Sequence, residues 1–423
     1  MLDIKLIREQ TAVVRAGLAK KMPHKKFDLE KIISLDEKRR ELTQAADELK
    51  AQRNQFSKVK PSAEVIKKMK TIGEQIKVLD QKLMKVEHEL TDFLLELPNL
   101  PAVDVVAGGK ENNEVIYQSG KLPKFDFAPR DHVELATSLG LIDYERAVKM
   151  SGSGFWCYTG VGALLEWALL SYFIEFHNSN GYRFLIPPFL LTEQSAYTSG
   201  HLPKFGEDLF WTQDKLCLNA TSEMMLGNYH RDEILKAESL PLKYCAYSPC
   251  FRREAGSYRQ EERGMIRGHQ FNKVEMFIFS WPDKSWEMFD ELVGYAKKLI
   301  EGLGLHFQVS KLAAEDCSAA MAKTYDVEVY IPSMGIYKEV SSISNALDYQ
   351  ARRGNIRFKN TTTSKNEFVH TLNASGLATS RLLPAILEQN QRADGSVLIP
   401  SVLHKYLPPG LKIIKPLTST NLT

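Results

Sequence analysis

Cysteine is scarce in this chain: Cys157, Cys217, Cys245, Cys250 and Cys317 are five in 423 residues, odd in number and without a CxxC pair. That excludes a disulfide framework and argues against a thiolate zinc site, leaving reduced, partly buried thiols. No apolar run is long enough to cross a bilayer. The richest, Gly162 to Phe176, is interrupted by Glu166 and Glu175, and the start MLDIKLIREQ mixes charges where a signal peptide would not. A cytoplasmic protein with no membrane partner is expected. GxxxxGK[ST], GxGxxG and HExxH are all missing, which disfavours P-loop, Rossmann and zincin readings, so phosphate has to be held in another way. Net charge is small as well, at +3. A nucleic-acid partner must therefore be argued from where the bases cluster.

What is present is ordinary globular composition, 43% hydrophobic and 25% charged, and at roughly 150 residues per domain the length suggests two to four domains. The first hundred residues are the most periodic. Val65, Met69, Ile72, Ile76, Leu79, Leu83, Val86, Leu90, Phe93 and Leu97 alternate in steps of four and three, the period of a left-handed coiled-coil seam. Ile32, Leu35, Leu42, Ala46, Leu49 and Phe56 keep the same spacing, with Arg39 and Arg53 at seam positions. Lys60-Pro61-Ser62 breaks the pattern, so it predicts two antiparallel helices, about 28–58 and 62–97, with Ser62 as N-cap. Roughly 30 residues at 1.5 Å each make an arm about 45 Å long. Its tip holds Lys50, Arg53, Lys58, Lys60, Lys67, Lys68 and Lys70 against one acid, Glu64, and a second basic run holds Arg352, Arg353, Arg357, Lys359 and Lys365. By charge alone, each run is most simply a solvated surface.

Leu97-Pro98-Asn99-Leu100-Pro101 cannot continue a helix, and Gly108-Gly109 reads as linker, which puts a domain boundary near residue 105. From 106 to 423 short apolar alternations (Val274–Phe279, Val327–Ile331, Phe368–Leu372) interleave with helical stretches (Gly162–Phe176, Trp286–Leu303, Leu377–Gln391). The fold class expected is α+β, an antiparallel sheet flanked by helices. The end, Leu411 to Thr423, is expected to be poorly ordered. The densest polar stretch runs from Phe251-Arg252-Arg253-Glu254 through a loop to Arg267, Phe271 and Glu275. On extended strands Arg252 and Glu254 would face one way, as would Arg267, Phe271 and Glu275. Arginine forks suit phosphate and a phenyl ring suits a base, whereas the plainer reading is a hairpin with cross-strand ion pairs.

These residues resemble motif 2 of the class II aminoacyl-tRNA synthetases, and the wording Pro249-Cys250-Phe251-Arg252-x-Glu254-Ala255-Gly256-Ser257 is similar to the seryl-tRNA synthetase family. The resemblance extends from the MLDIKLIR start through the arm and the Leu97–Pro101 hinge. It places motif 1 at about 181–191, motif 2 at about 249–277 and motif 3 at about 370–391. It implies a homodimer with Pro187 at the interface, ATP and Mg2+ as cofactors, and L-serine and tRNA(Ser) as substrates, with tRNA(Sec) as a further acceptor to be tested and no DNA partner. Residues 1–105 would bind tRNA through Arg53, Lys58, Lys60, Lys67 and Lys68. Residues 106–423 would make seryl-adenylate and transfer serine to the tRNA 3′ end. Thr221, Ser222, Glu223, Arg252, Glu275 and Ser375 would contact serine. Arg252, Arg253, Glu254, Arg267, Phe271, Glu339, Val340, Ser341, Ser342 and Arg381 would contact ATP. Glu339 and Ser342 would hold Mg2+, and Arg252, Arg381 and Glu339 would be catalytic.

The sequence departs from the family pattern at Ala374, Ser380, Ser222 and Pro384, the last falling where a helix should run, and in an acidic motif 2 loop, Tyr258 to Glu262. Two other readings compete. One is a catalytically impaired paralogue that binds RNA or protein through its arm, and the other is a ligase that charges a carrier protein. The intact arginines and carboxylates weigh against the first, the basic arm tip against the second.

Overall fold

The computed structural model describes residues 1–57, 62–254 and 264–417. The chain divides into two compact units, Met1–Leu100 and Pro101–Thr423. In the first, helix α1 (Leu29–Phe56) and helix α2 (Ala63–Glu96) pack along each other. Lys31 pairs with Glu89 and Lys50 with Asp80, so they run antiparallel. Asp28 caps α1 on the Lys31 amide, and Ser62 caps α2 on the Val65 amide at 3.2 Å. Ile72, Ile76, Val86 and Leu90 are buried along the α2 seam, against Ile32, Leu35 and Ala46 of α1. Arg39 is tolerated there because it reaches Asp36 at 2.7 Å, a wholly buried carboxylate that Arg8 also grips at 2.7 Å. Arg53 is exposed instead, so the interface opens to water at that end.

The second unit is built on an eight-stranded sheet of β1 (Glu114–Ser119), β2 (Arg183–Leu185), β3 (Leu242–Phe251), β4 (Gln270–Ser280), β5 (Phe307–Lys311), β6 (Lys323–Ile331), β7 (Ile336–Leu347) and β8 (His370–Ala378). Their order is β1-β5-β6-β7-β8-β4-β3-β2, antiparallel throughout except for the short edge strand β2, which runs parallel to β3. Helices α3 (Gly160–Ser179), α4 (Ser285–Gly302) and α5 (Thr379–Gln389) cover one face. Leu165, Leu169 and Phe173 of α3, Phe289 and Leu292 of α4, and Leu382 and Ile386 of α5 close a core over Val274, Met276 and Ile278 of β4. On the opposite face, Phe277 and Phe279 pack with Leu226 and Tyr244. Burial on both faces explains why the run from Val274 to Phe279 is almost all apolar, Glu275 being the exception.

Pro384 falls within a helix as expected: it lies inside α5, beyond its first turn, so the helix forgoes the bond that an amide at 384 would give to Ser380. Two other expectations need correction. Part of the tail is ordered, contrary to expectation: Ile413–Ile414 pairs with Val397–Leu398; residues 418–423 lie outside the described part. The second basic run is divided: Lys359 and Lys365 are exposed as expected, but two of its arginines are structural. Arg353 donates to the carbonyls of Tyr197 and Leu202 at 2.9 Å each, and Arg352 holds Asp348 at 2.7 Å.

Candidate active site

The face carrying Phe271, Lys273 and Glu275 opens into two adjoining cavities, which share Arg252, Lys273, Glu339 and Ser375. The first is also lined by Glu254, Arg267, Phe271, Val340, Ser380 and Arg381. Strand β3 ends at Phe251, so Arg252 and Glu254 sit just past it rather than on it, and Glu254 has φ of +54°, left-handed and not extended. Even so, its carboxylate meets Arg267 Nε at 2.5 Å. Arg267 precedes β4 and enters from the turn; only Phe271 and Glu275 share a strand face as expected. Arg252 donates from Nε to the Ala220 carbonyl at 3.3 Å, and its guanidinium carbon lies 5.2 Å from the Phe271 ring centroid. Arg381 donates to the Glu339 carbonyl at 2.9 Å and its carboxylate at 3.3 Å. Two planar cations thus flank one cleft wall, fixed by backbone carbonyls that leave further N–H donors free in direction.

Glu339 and Ser342 are three apart, so a regular strand could not present both to one side. A bulge does it: Val327 pairs with Ser341 but Glu328 with Glu339, and Val340 is the extra residue. Ser342 donates to Asp326 at 2.7 Å. Glu339, Ser342 and Asp326 are hard oxygen donors.

The second cavity ends on a small buried polar cluster. Glu275, 1% exposed, accepts from Thr221 at 3.3 Å and Asn373 at 3.2 Å and pairs with Lys273 at 2.5 Å. Lys273 also donates to Thr221 at 2.7 Å. Ser375 is the cross-strand neighbour of Glu275. Glu223 accepts from Gln350 at 2.7 Å, and burial, aided by the Glu275 carboxylate, pushes it up to about 7. The cluster offers two carboxylates, a cation and hydroxyl and amide groups to a small zwitterion bearing one more hydroxyl.

Three expected contacts are not brought to the cleft. Ser222 is fully buried behind it, bonded to Ser248 at 2.7 Å. Ser341 faces away and donates to the Ser375 carbonyl at 2.6 Å. Arg253 is exposed and lines neither cavity, its amide bonding the Asp208 carbonyl. Conversely, Lys273, Asn373, His201 and Asp326 were not singled out. Lys273 was within reach, since it stands between Phe271 and Glu275 in the same two-residue period; nothing local marks the other three. Lys58 and Lys60 lie outside the described residues.

Comparison with known proteins follows the same division. Residues 1–101 match the family described as seryl-tRNA synthetase N-terminal domain, and residues 210–390 the tRNA synthetase class II core domain (G, H, P, S and T). The chain is 51% identical to serine--tRNA ligase 2 of Clostridium acetobutylicum over 96% of its own length and 99% of the relative's. It is 44% identical to serine--tRNA ligase of Exiguobacterium sibiricum, covering 98% and 100%. Among solved structures it is similar to the seryl-tRNA synthetase of Pyrococcus horikoshii complexed with ATP, at 34% identity and a TM-score of 0.90 over 99% of this chain and 100% of that one.

Proposed function

Since the chain belongs to the seryl-tRNA synthetases of class II, we propose that it activates L-serine with ATP and passes the seryl group to the 3′ end of tRNA(Ser). The observation that carries this reading is the opening of the Glu275–Thr221–Lys273–Asn373 cluster into the cleft flanked by Arg252 and Arg381. A serine carboxylate oxygen attacks the α-phosphorus, the bond to the β-phosphate oxygen breaks, and pyrophosphate leaves. Arg252 neutralises charge gathering on the α-phosphate, Arg381 draws off the pyrophosphate, and Phe271 offers a face to adenine. No protein nucleophile is needed, because positioning and charge neutralisation do the chemistry. Among the described residues no group of three His, Cys, Asp or Glu side chains could hold a metal ion by itself. That suits Mg2+, which is commonly held by one or two carboxylates plus substrate phosphates; Glu339 and Ser342 would hold it here. Bound there, it would offset phosphate charge.

Glu223 gives this reading a pH signature. With its carboxyl raised to about 7, the empty site is protonated below that value and charged above it, and a serine ammonium beside it favours the charged form. Serine binding is expected to weaken as pH falls through about 7 and to release a proton at around pH 6 but almost none at around pH 8. Titration calorimetry in buffers of different ionisation enthalpy reads this directly; proton release independent of pH would remove Glu223 from the ammonium site.

The N-terminal unit is proposed to bind the tRNA. Arg53 and Lys67 are exposed, and among the described residues Lys68 pairs within its own helix, with Glu64 at 2.8 Å. Replacing Lys58, Lys60, Lys67 and Lys68 with alanine is expected to leave adenylate synthesis intact, because each unit has its own core. tRNA binding should weaken, with the salt slope falling by about 0.7 to 0.9 for each phosphate no longer neutralised. Unchanged affinity and slope would make the arm a structural element. Homodimerisation through the motif 1 face around Pro187 belongs to the same proposal. Its support is an apolar surface at Ile186, 68% exposed, and Trp167, 57% exposed, the latter packed on Tyr247. A reducing, cytoplasmic setting is proposed from the five free thiols. Charging of tRNA(Sec) is tested by the same transfer assay.

A further inference from the structure

Helix α3 buries two polar side chains that the adenylate chemistry leaves unused. Glu166 is 3% exposed and His177 fully buried. They stand 11 residues apart, close to three helical turns, and so share one face of α3. Glu166 Oε1 accepts from Thr379 Oγ1 at 2.6 Å and from Asn272 Nδ2 at 2.8 Å, while Oε2 makes no hydrogen bond among the described residues; burial pushes the carboxyl up to about 7, against the pull of Thr379, Asn272 and the nearby Tyr158 hydroxyl. The Thr379 hydroxyl also lies 3.1 Å from the Asn272 carbonyl. It has one proton to give, and the shorter distance, typical of a bond to a carboxylate, assigns it to Glu166.

His177 Nε2 lies 2.7 Å from the Gly376 carbonyl. A carbonyl only accepts, so the proton sits on Nε2, and among the described residues Nδ1 is left without a partner. Burial pushes this imidazole down to about 4, so it is neutral. Gly376 is required by the same contact: a Cβ there would stand 2.3 Å from His177 Nε2.

The two anchors fall on either end of Gly376–Thr379, the segment that joins Ser375 in the serine cluster to Arg381 in the phosphate wall. Asn272, the other ligand of Glu166, directly follows Phe271, the ring on which Arg252 rests. Burying a carboxyl among Thr379, Asn272 and Tyr158 is costly, and packing alone would be served as well by an apolar side chain.

We propose that Glu166 and His177 are positioning residues: from one face of α3 they set the Ser375–Arg381 segment and the Phe271–Asn272 strand in register, so that the serine and ATP halves of the cleft meet. The proposal rests on the seryl-adenylate reading. It predicts that a small displacement of Arg381 and Phe271 weakens ATP engagement far more than serine engagement, because Glu275 and Thr221 hang on other contacts.

The test compares Glu166→Ala, Glu166→Gln, Thr379→Val and Thr379→Ser by serine-dependent pyrophosphate exchange, with KM for ATP and for serine measured separately and thermal melting as a fold control. Glutamine keeps the Oε1 acceptor and serine keeps the hydroxyl. Glu166→Ala and Thr379→Val are expected to raise KM for ATP about tenfold and lower kcat by about tenfold or more, with KM for serine within about twofold; Glu166→Gln and Thr379→Ser should recover most of the loss. If Glu166→Ala does not fold, the Thr379 pair decides alone. Wild-type KM for ATP in Thr379→Val, or equal losses for both substrates that track the melting temperature, would overturn the positioning role. Absence of serine-dependent exchange in the unmodified protein would instead sink the functional reading.

Discussion

Arg252→Ala is expected to slow serine-dependent pyrophosphate exchange by about 100-fold or more, with the fold intact. The side chain is only part-buried, lies over Phe271 and reaches Ala220 through one nitrogen, so its removal takes away little packing. What disappears is a fixed cation where charge builds on the α-phosphate, and an interaction stronger in the transition state than in the ground state appears in the rate. Each tenfold corresponds to about 1.4 kcal/mol, so the expected loss of about 3 kcal/mol or more is in line with one preorganised donor. Arg381→Ala should behave alike, with an added cause: it also frees the Glu339 carboxylate that the guanidinium holds at 3.3 Å. Arg252→Lys keeps the charge but not the planar fork that stacks and binds bidentately, so it should fall between wild type and alanine. Steady-state exchange with a melting curve for each variant checks this; near-wild-type exchange in Arg252→Ala would remove it from the reaction.

Discrimination against alanine is the second large effect. Alanine differs from serine by one hydroxyl, and the proposed partner of that hydroxyl is Glu275, 1% exposed and within a closed set of hydrogen bonds. Bound alanine would exclude water without offering a donor in its place. A site built to bond a hydroxyl rejects the analogue lacking it by about 10⁴-fold in kcat/KM. Threonine keeps the hydroxyl and can be refused only by the cavity wall, so its exclusion is expected to be weaker. Exchange rates measured for serine, alanine and threonine on one preparation give the order; alanine within about tenfold of serine would show that Glu275 does not read the hydroxyl.

How much of this was legible depends on the length over which a pattern runs. The arm was legible because the four–three spacing repeats at ten positions from Val65 to Leu97, nine of them within one helix, and periodicity averages out local exceptions. Asp36 escaped because a hydrophobic pattern cannot register a buried acid, least of all one whose partner Arg8 stands 28 positions earlier. In the sheet unit, the motif residues were found as words, but which of them face the cleft was set by irregularities that no short window shows. Ser341 and Ser342 are adjacent and point opposite ways, and Glu339 joins Ser342 only through the bulge at Val340. Ser222 sits between Thr221 and Glu223, which both line the cavity, yet turns inward to Ser248. Glu166 and His177 were invisible as site residues for a different reason: their spacing is that of any helix face, and their meaning comes from the end of β8 and the start of α5, some 200 positions later.

The central claim, that Glu275, Thr221, Arg252 and Arg381 together make seryl-adenylate, is tested most directly by ATP–pyrophosphate exchange with each amino acid supplied alone and no tRNA present. The account predicts rapid exchange with serine, exchange slower by about 10⁴-fold with alanine, and loss of the serine signal in both Arg252→Ala and Arg381→Ala. Exchange driven equally well by another amino acid, or exchange with serine that survives both arginine variants, would contradict it.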